Sequence, residues 1–256
     1  MKFEKIQSVS GELAATRVGT GSTMIVLVHG WTCRRSHWAG VLPMLKQYGE
    51  VLAVDLPGHG DSAGSPPLTA TVVGLAKELA SIISQQGDRP VVLVGHSMGG
   101  AVALEAARLL DQATAVILVD TFVIPYGDLP EQQVQEIEQA FADDFVGAMQ
   151  GLVDSNTRED IPLPLKAQLH HDMASADTAW ALPLWGDLLR WQPDAALSQP
   201  GVKIHAINGG MIPEPARQRC ARYVTERVIT QAKHFPQLET PEEFEALLEQ
   251  ILKEAL

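Results

Sequence analysis

The apolar run Val91–Val94 (VVLV) leads directly into Gly95-His96-Ser97-Met98-Gly99-Gly100, and a helix-like stretch follows to Leu110. No other feature limits the possible folds as much. A short, wholly apolar run suits a strand buried on both faces, which implies a parallel sheet with helices on either side. To pass from such a strand into a helix in one tight turn, the chain must bend sharply at the serine. Glycines two residues before and two residues after Ser97 let neighbouring backbones approach. The helix N-terminus behind the turn offers free N–H groups and the positive end of a dipole, which favour a developing oxyanion. G-x-S-x-G carries little in an arbitrary loop. Between a buried strand and a helix it reads as a turn that presents a nucleophilic hydroxyl.

The rest of the chain supplies the sheet. Lys2–Val9 and Leu13–Val18 read as a hairpin around Gly11. Met24–Val28 ends at His29-Gly30, Val51–Asp55 ends at Pro57-Gly58, and Ala115–Val119 ends at Asp120. Helical patterns over Trp38–Gln47, Thr69–Gln86 and Met98–Leu110 lie between them, so right-handed βαβ crossovers are expected. The alternation stops after Phe122. Residues 125–199 contain helix-like runs interrupted by prolines and no strand-like run, and then Val202–Asn208 and Val224–Thr230 restore the strand signal. A helix over Pro241–Leu256 closes the chain, with Thr240 as its expected N-cap and Glu243 completing a capping box. A length of 256 residues suits one α/β core with an insertion, not two large domains. The predicted division is a core of 1–124 and 200–256 with a helical cap of 125–199.

The chain has a formal net charge of −12. Thirteen acidic residues against Arg158, Lys166 and Arg190 fall within 125–199, so most of the excess lies on the expected cap, where a solvated helical face is the plain reading. Such a field repels phosphate backbones and anionic bilayers, so neither nucleic acid nor a membrane is an expected partner. The N-terminal residues have no signal-like apolar core, and no run approaches the roughly 18 apolar residues of a membrane span. Cys33 and Cys220 form no disulfide framework, and no Cys/His spacing resembles a zinc site. The expectation is a reduced cytoplasmic protein, monomer or homodimer, without metal or cofactor.

Four segments, LVHGW (27–31), VDLPGHGDS (54–62), VGHSMGG (94–100) and HFPQLETPEEF (234–244), occur in an order that resembles the α/β-hydrolase superfamily. The resemblance implies an α/β-hydrolase fold: a mostly parallel eight-stranded sheet, helices on both faces and a helical cap inserted after strand 6. It also implies a Ser–His–acid triad. Ser97 matches the nucleophile and His234 the base. The N–H groups of Trp31 and Met98 match the oxyanion hole, which needs two donors where charge develops. Small capped members include carboxylesterases, lactonases, aryl esterases and cofactor-free carbon–carbon bond enzymes.

The acid departs from the common pattern. Many relatives carry it in Gly-x-x-Asp-Pro after the strand that follows the cap, but here that stretch is Gly209-Gly210-Met211-Ile212-Pro213. A carboxylate is still desirable, because it fixes the imidazole tautomer and stabilises imidazolium. Asp120, at the carboxyl end of a buried strand, is the preferred substitute, and Glu214 is the alternative. Asp55 reads as a loop organiser, as do His29 and His59. Substrate-contact candidates are His96, Phe122, Phe141, Phe145, Trp180 and Trp185, with Trp31, Met98 and Trp191 beside them. Arg34-Arg35 either meet an anionic acyl group or are solvated, the latter being the expectation. The expected function is hydrolysis of a small carboxylic ester or lactone through an acyl-enzyme. The rivals are a cofactor-free lyase or dioxygenase with His234 as base, and a non-catalytic ligand receptor.

Overall fold

A computed structural model describes all 256 residues. The strands are β1 (Lys2–Ser8), β2 (Gly11–Val18), β3 (Met24–Val28), β4 (Glu50–Val54), β5 (Val91–His96), β6 (Ala113–Val119), β7 (Lys203–Gly209) and β8 (Val224–Ile229). They form one eight-stranded sheet in the order β1-β2-β4-β3-β5-β6-β7-β8. β1 and β2 pair antiparallel, as do β2 and β4, and the remaining neighbours run parallel. The helices of the first half are α1 (Leu42–Leu45), α2 (Val72–Ser84) and α3 (Met98–Ala107).

The strand period of two sorts side chains between two cores. Ile25, Leu27, Val92, Val94, Ile117 and Val119 pack with Trp38, Leu42, Phe244, Leu248 and Ile251 on one face. Met24, Val26, Val28, Leu93, Val116 and Leu118 pack with α2, α3 and the later helices on the other. Both faces are therefore dry, which is why the strands read as continuous apolar runs.

Five helices separate β6 from β7: α4 (Glu131–Asp143), α5 (Phe145–Asn156), α6 (Leu163–Ala174), α7 (Thr178–Arg190) and α8 (Asp194–Leu197). They lie against the carboxyl edge of the sheet, where Trp31 Nε1 donates to Ala181 O at 3.0 Å. After β7 come α9 (Glu214–Cys220), α10 (Pro236–Glu239) and α11 (Pro241–Ala255). No helix is long and apolar enough to cross a membrane.

Two local expectations fail. The stretch 38–47 is not one helix: a 3₁₀ turn over Arg35–Trp38 is separated from the four-residue α1. Gly40 weakens a helix interior, and Pro43, which has no N–H to donate to the preceding turn, stands instead in the first turn of α1. There is also no capping box at α11. Thr240 Oγ1 donates to Pro236 O at 3.1 Å, and the Glu243 carboxylate accepts from Gln231 instead. The preceding short helix α10 supplies the nearer acceptor, so the hydroxyl turns back toward it.

Candidate active site

Only three non-glycine residues have positive φ: Thr32 (56°), Ser97 (52°) and Asp120 (48°). Such conformations cost about 1–3 kcal/mol each and persist only where surrounding structure enforces them. All three stand at the carboxyl edge of the parallel strands, after β3, β5 and β6.

The turn at Ser97 explains its glycines. A Cβ on Gly95 would lie 2.2 Å from Gly99 O, and a Cβ on Gly99 would lie 2.3 Å from Val28 O. A Cβ on Gly30 would reach within 3.3 Å of Ser97 Cβ, so the loop after β3 approaches the serine because it has no side chain there. Ser97 N–H donates to Val119 O at 2.9 Å, which fixes the turn to the neighbouring strand.

His234 stands in the loop between β8 and α10, with Nε2 3.0 Å from Ser97 Oγ. Its Nδ1 lies 2.7 Å from Asp120 Oδ2. Asp120 is fully buried, and its other oxygen accepts from Gly209 N–H at 2.7 Å. Because the carboxylate can only accept, Nδ1 carries the hydrogen and Nε2 offers its lone pair to the serine hydroxyl. Asp120, the acid preferred from the sequence, is the carboxylate that lies beside His234 Nδ1. Glu214 is exposed at the start of α9 and accepts from Gln218 at 3.0 Å. Ile212 is buried among core side chains beneath α9. The loop after β7 contributes the Gly209 N–H to the acid rather than an acid of its own.

The peptide of His234 is held from two sides. Its N–H donates to Asn156 O at 3.0 Å, at the C-terminus of α5. Its carbonyl accepts from His96 Nε2 at 2.7 Å. Burial, then the neighbouring His234, keeps the His96 imidazole well below its ordinary pKa, so this ring is neutral. The Glu239 carboxylate accepts from the N–H groups of Lys233 (3.0 Å) and Phe235 (2.9 Å), bracketing the same loop.

Met98 N–H opens α3, and Trp31 N–H follows Gly30; neither donates to a backbone acceptor. Both donors are therefore free, which is what an oxyanion requires. The indole of Trp31 stacks on Trp185 with centroids 4.4 Å apart and planes 13° apart.

Ser97 and His234 open into a cavity of about 190 Å³ between the sheet edge and the inserted helices. Of the candidates for substrate contact, Trp31, His96 and Trp185 line it. Four other expected contact residues do not. Phe141 and Phe145 stand behind the wall, edge-on to Trp31 at 5.3 and 6.0 Å. Phe122 faces a separate cavity beneath α9, with Ile212 and Cys220. Trp180 covers Gly58 and packs on His59 at 4.3 Å. Trp191 is also turned away, its Nε1 donating to Glu105 at 2.9 Å. Aromatic residues at helical spacing close the core of the inserted segment, and only those facing the serine reach the cavity.

Tyr126 and Asn156 line the cavity without having been expected there, alongside Val123, Ile124, Leu152, Val153, Met173 and Met211. Burial pushes the Tyr126 phenol above its usual range, so it stays protonated. Neither residue belongs to a motif; both arrive through the packing of the segment that follows β6.

The loop organisers are as expected. His29 Nε2 accepts from Leu56 N–H at 3.0 Å and Nδ1 donates to Gly30 O at 2.9 Å, tying the turns after β3 and β4 together. Asp55 accepts from the N–H groups of Arg35 (2.6 Å) and Asp61 (2.9 Å). Arg34 and Arg35 are partly exposed, ion-paired and absent from the cavity wall. Arg34 pairs with Asp61 and Asp172, and Arg35 with Asp55 and Asp61. Cys33 and Cys220 are buried free thiols, both pushed up to about 12 by burial.

Sheet order, turn geometry and the serine–histidine–aspartate contacts together describe an α/β-hydrolase. The chain belongs to the Alpha/beta hydrolase family, whose model matches residues 25–247. Among curated proteins it is 28% identical to the dihydrolipoyllysine-residue acetyltransferase component of an acetoin cleaving system from Cupriavidus necator, over 92% of this chain and 65% of that one. The chain thus spans just under two thirds of that relative's length. It is 26% identical to a pimeloyl-[acyl-carrier protein] methyl ester esterase from Pectobacterium carotovorum, over 88% of this chain and 92% of the relative. Among solved structures, a thermophilic esterase from Thermogutta terrifontis superposes with a TM-score of 0.80 at 25% identity, covering 100% of this chain and 99% of that one.

Proposed function

We propose that the protein is a carboxylic ester hydrolase that cleaves a small ester or lactone through an acyl-enzyme. The observation that carries this reading is the chain of contacts from Ser97 Oγ to His234 Nε2 (3.0 Å) and from His234 Nδ1 to Asp120 (2.7 Å), opening into a mainly apolar cavity. A serine hydroxyl is a poor nucleophile until a base removes its proton, and Nε2 is placed to do so. Ser97 Oγ bonds to the acyl carbon as His234 takes the proton. The carbonyl electrons move onto oxygen, which the N–H groups of Trp31 and Met98 receive. The carbon–oxygen bond to the alcohol then breaks, and His234 returns the proton to the leaving oxygen. Water repeats the sequence on the acyl-enzyme and restores Ser97. Asp120 holds the productive tautomer and stabilises the imidazolium in both halves.

Residues 125–199 act as the cap, excluding bulk water so that these dipoles work at low local dielectric. The esterase names of several relatives support the ester as the bond cleaved. A paired acid on the histidine supports hydrolysis over the receptor alternative. A fluorophosphonate probe is expected to label Ser97, and p-nitrophenyl acetate to be turned over. Absence of both would refute the reading.

A further inference from the structure

The cavity over Ser97 has five polar side chains on its wall: Ser97, His96, His234, Tyr126 and Asn156. All the other lining groups are hydrocarbon, sulfur, glycine or indole, and no lysine or arginine is among them. Trp185, which also lines the cavity, has a buried indole N–H without an acceptor and carries no charge.

The cations nearby are committed elsewhere. In the inserted segment Arg158 pairs with Asp160 at 2.6 Å, Lys166 with Asp154 at 2.7 Å, and Arg190 with Glu131 and Glu138 at 2.6 and 2.8 Å. Arg34 and Arg35, beneath the oxyanion loop, are held by Asp55, Asp61 and Asp172. Lys233 adjoins His234, but its ammonium donates to Ser155 O at 3.1 Å and lies outside the lining. Above the cavity, residues 125–199 carry thirteen acidic side chains against three basic ones. Below it lies the buried carboxylate of Asp120. An anion entering here would lose its water, gain no counter-charge and approach through a field of its own sign.

We infer that the acyl group of the substrate is uncharged: the site takes a neutral, largely hydrocarbon acyl chain and rejects one that ends in a carboxylate or hangs from an anionic carrier. This rests on the reading of Ser97 as nucleophile. It separates the substrate from the carrier-borne ester named for the Pectobacterium relative.

Two alkyl fluorophosphonates of equal chain length, one ending in a methyl group and one in a carboxylate, test it without requiring ester turnover. In each, Ser97 Oγ bonds to phosphorus, fluoride leaves and His234 takes the hydroxyl proton. The neutral probe is expected to inactivate at least about 100-fold faster, since a carboxylate desolvated without a partner is strongly disfavoured. Met211 lines the cavity and is 38% exposed, so a cation placed there keeps contact with water. Met211→Lys is expected to raise the ratio of the carboxylate-probe rate to the neutral-probe rate by about tenfold or more, whatever it does to the neutral rate itself. Comparable rates for the two probes on the unaltered protein, or a ratio of the two rates that Met211→Lys leaves unchanged, would overturn the inference. Failure of both probes to label Ser97, together with no ester turnover, would instead remove the nucleophile reading beneath it.

Discussion

His96 donates from Nε2 to the main-chain carbonyl of His234 at 2.7 Å, with the two rings 4.9 Å apart. The residue preceding Ser97 therefore holds the backbone of the histidine whose Nε2 faces the serine hydroxyl. His96 also borders the cavity, so positioning and substrate contact have to be separated by kinetics. His96→Ala is expected to lower kcat by about 10- to 100-fold with KM nearly unchanged, because a displaced base loses its near-attack geometry. His96→Gln, which can still donate an N–H, should recover part of the loss. Steady-state kinetics on a neutral ester provides the check. A raised KM with intact kcat would assign His96 to substrate contact instead.

Asp120→Asn is expected to reduce kcat by about 10²- to 10⁴-fold with little change in KM, since the amide can hold the wrong imidazole tautomer. Glu214→Gln should cost less than about tenfold, because Glu214 bonds only within its own short helix. The reverse ranking would move the acid to Glu214.

Burial, followed by unfavourable interaction with neighbouring charged groups, pushes the imidazoles of His29 and His59 down to about 3 from an ordinary value of 6.5. The unfolded chain therefore binds protons on both residues before the folded one does. Their stabilising contribution is complete above pH 6.5 and is lost as pH falls toward 3. Each group contributes a slope of up to about 1.4 kcal/mol per pH unit in that window. Tm should fall steadily from pH 6.5 to about 5, before most carboxylates titrate. A Tm that stays flat over this interval would contradict the burial of these rings.

A methyl group on Gly99 would meet two backbone carbonyls, Val28 O at 2.3 Å and His29 O at 2.5 Å, and neither can move without disturbing β3. Gly99→Ala should destabilise the fold by about 3 kcal/mol, or roughly 6–12 °C in Tm. Gly151 faces open space on the exposed side of α5, so Gly151→Ala should be neutral or stabilising by up to about 1 kcal/mol. Equal thermal shifts in the two variants would refute the close-approach argument.

Local rules expose the elements whose side chains answer to local geometry. The buried strands were legible as apolar runs, and Ser97 was legible because the turn forbids side chains at Gly95 and Gly99. Asp120 could be named as a substitute because it ends a parallel strand, although Ile212 had emptied the usual place. What escaped depends on how the inserted helices pack. Asn156 reaches His234 through a carbonyl, which leaves no trace in residue type, and Tyr126 enters the cavity from an irregular segment. Phe141, Phe145 and Trp180 were as aromatic as Trp185, but only the orientation of each helix decided which ring faced the serine. Thr240 had a suitable side chain for a cap, and the neighbouring Pro236 carbonyl took its hydroxyl.

The central claim is that one hydroxyl, Ser97, carries the covalent chemistry with His234 as its base. The most direct measurement is kcat/KM of Ser97→Ala against the unaltered protein on a neutral p-nitrophenyl ester, with circular dichroism to verify that both are folded. The account predicts a loss of about 10³-fold or more, since the residues act as a unit. Turnover by the folded variant within about tenfold of the original would contradict it.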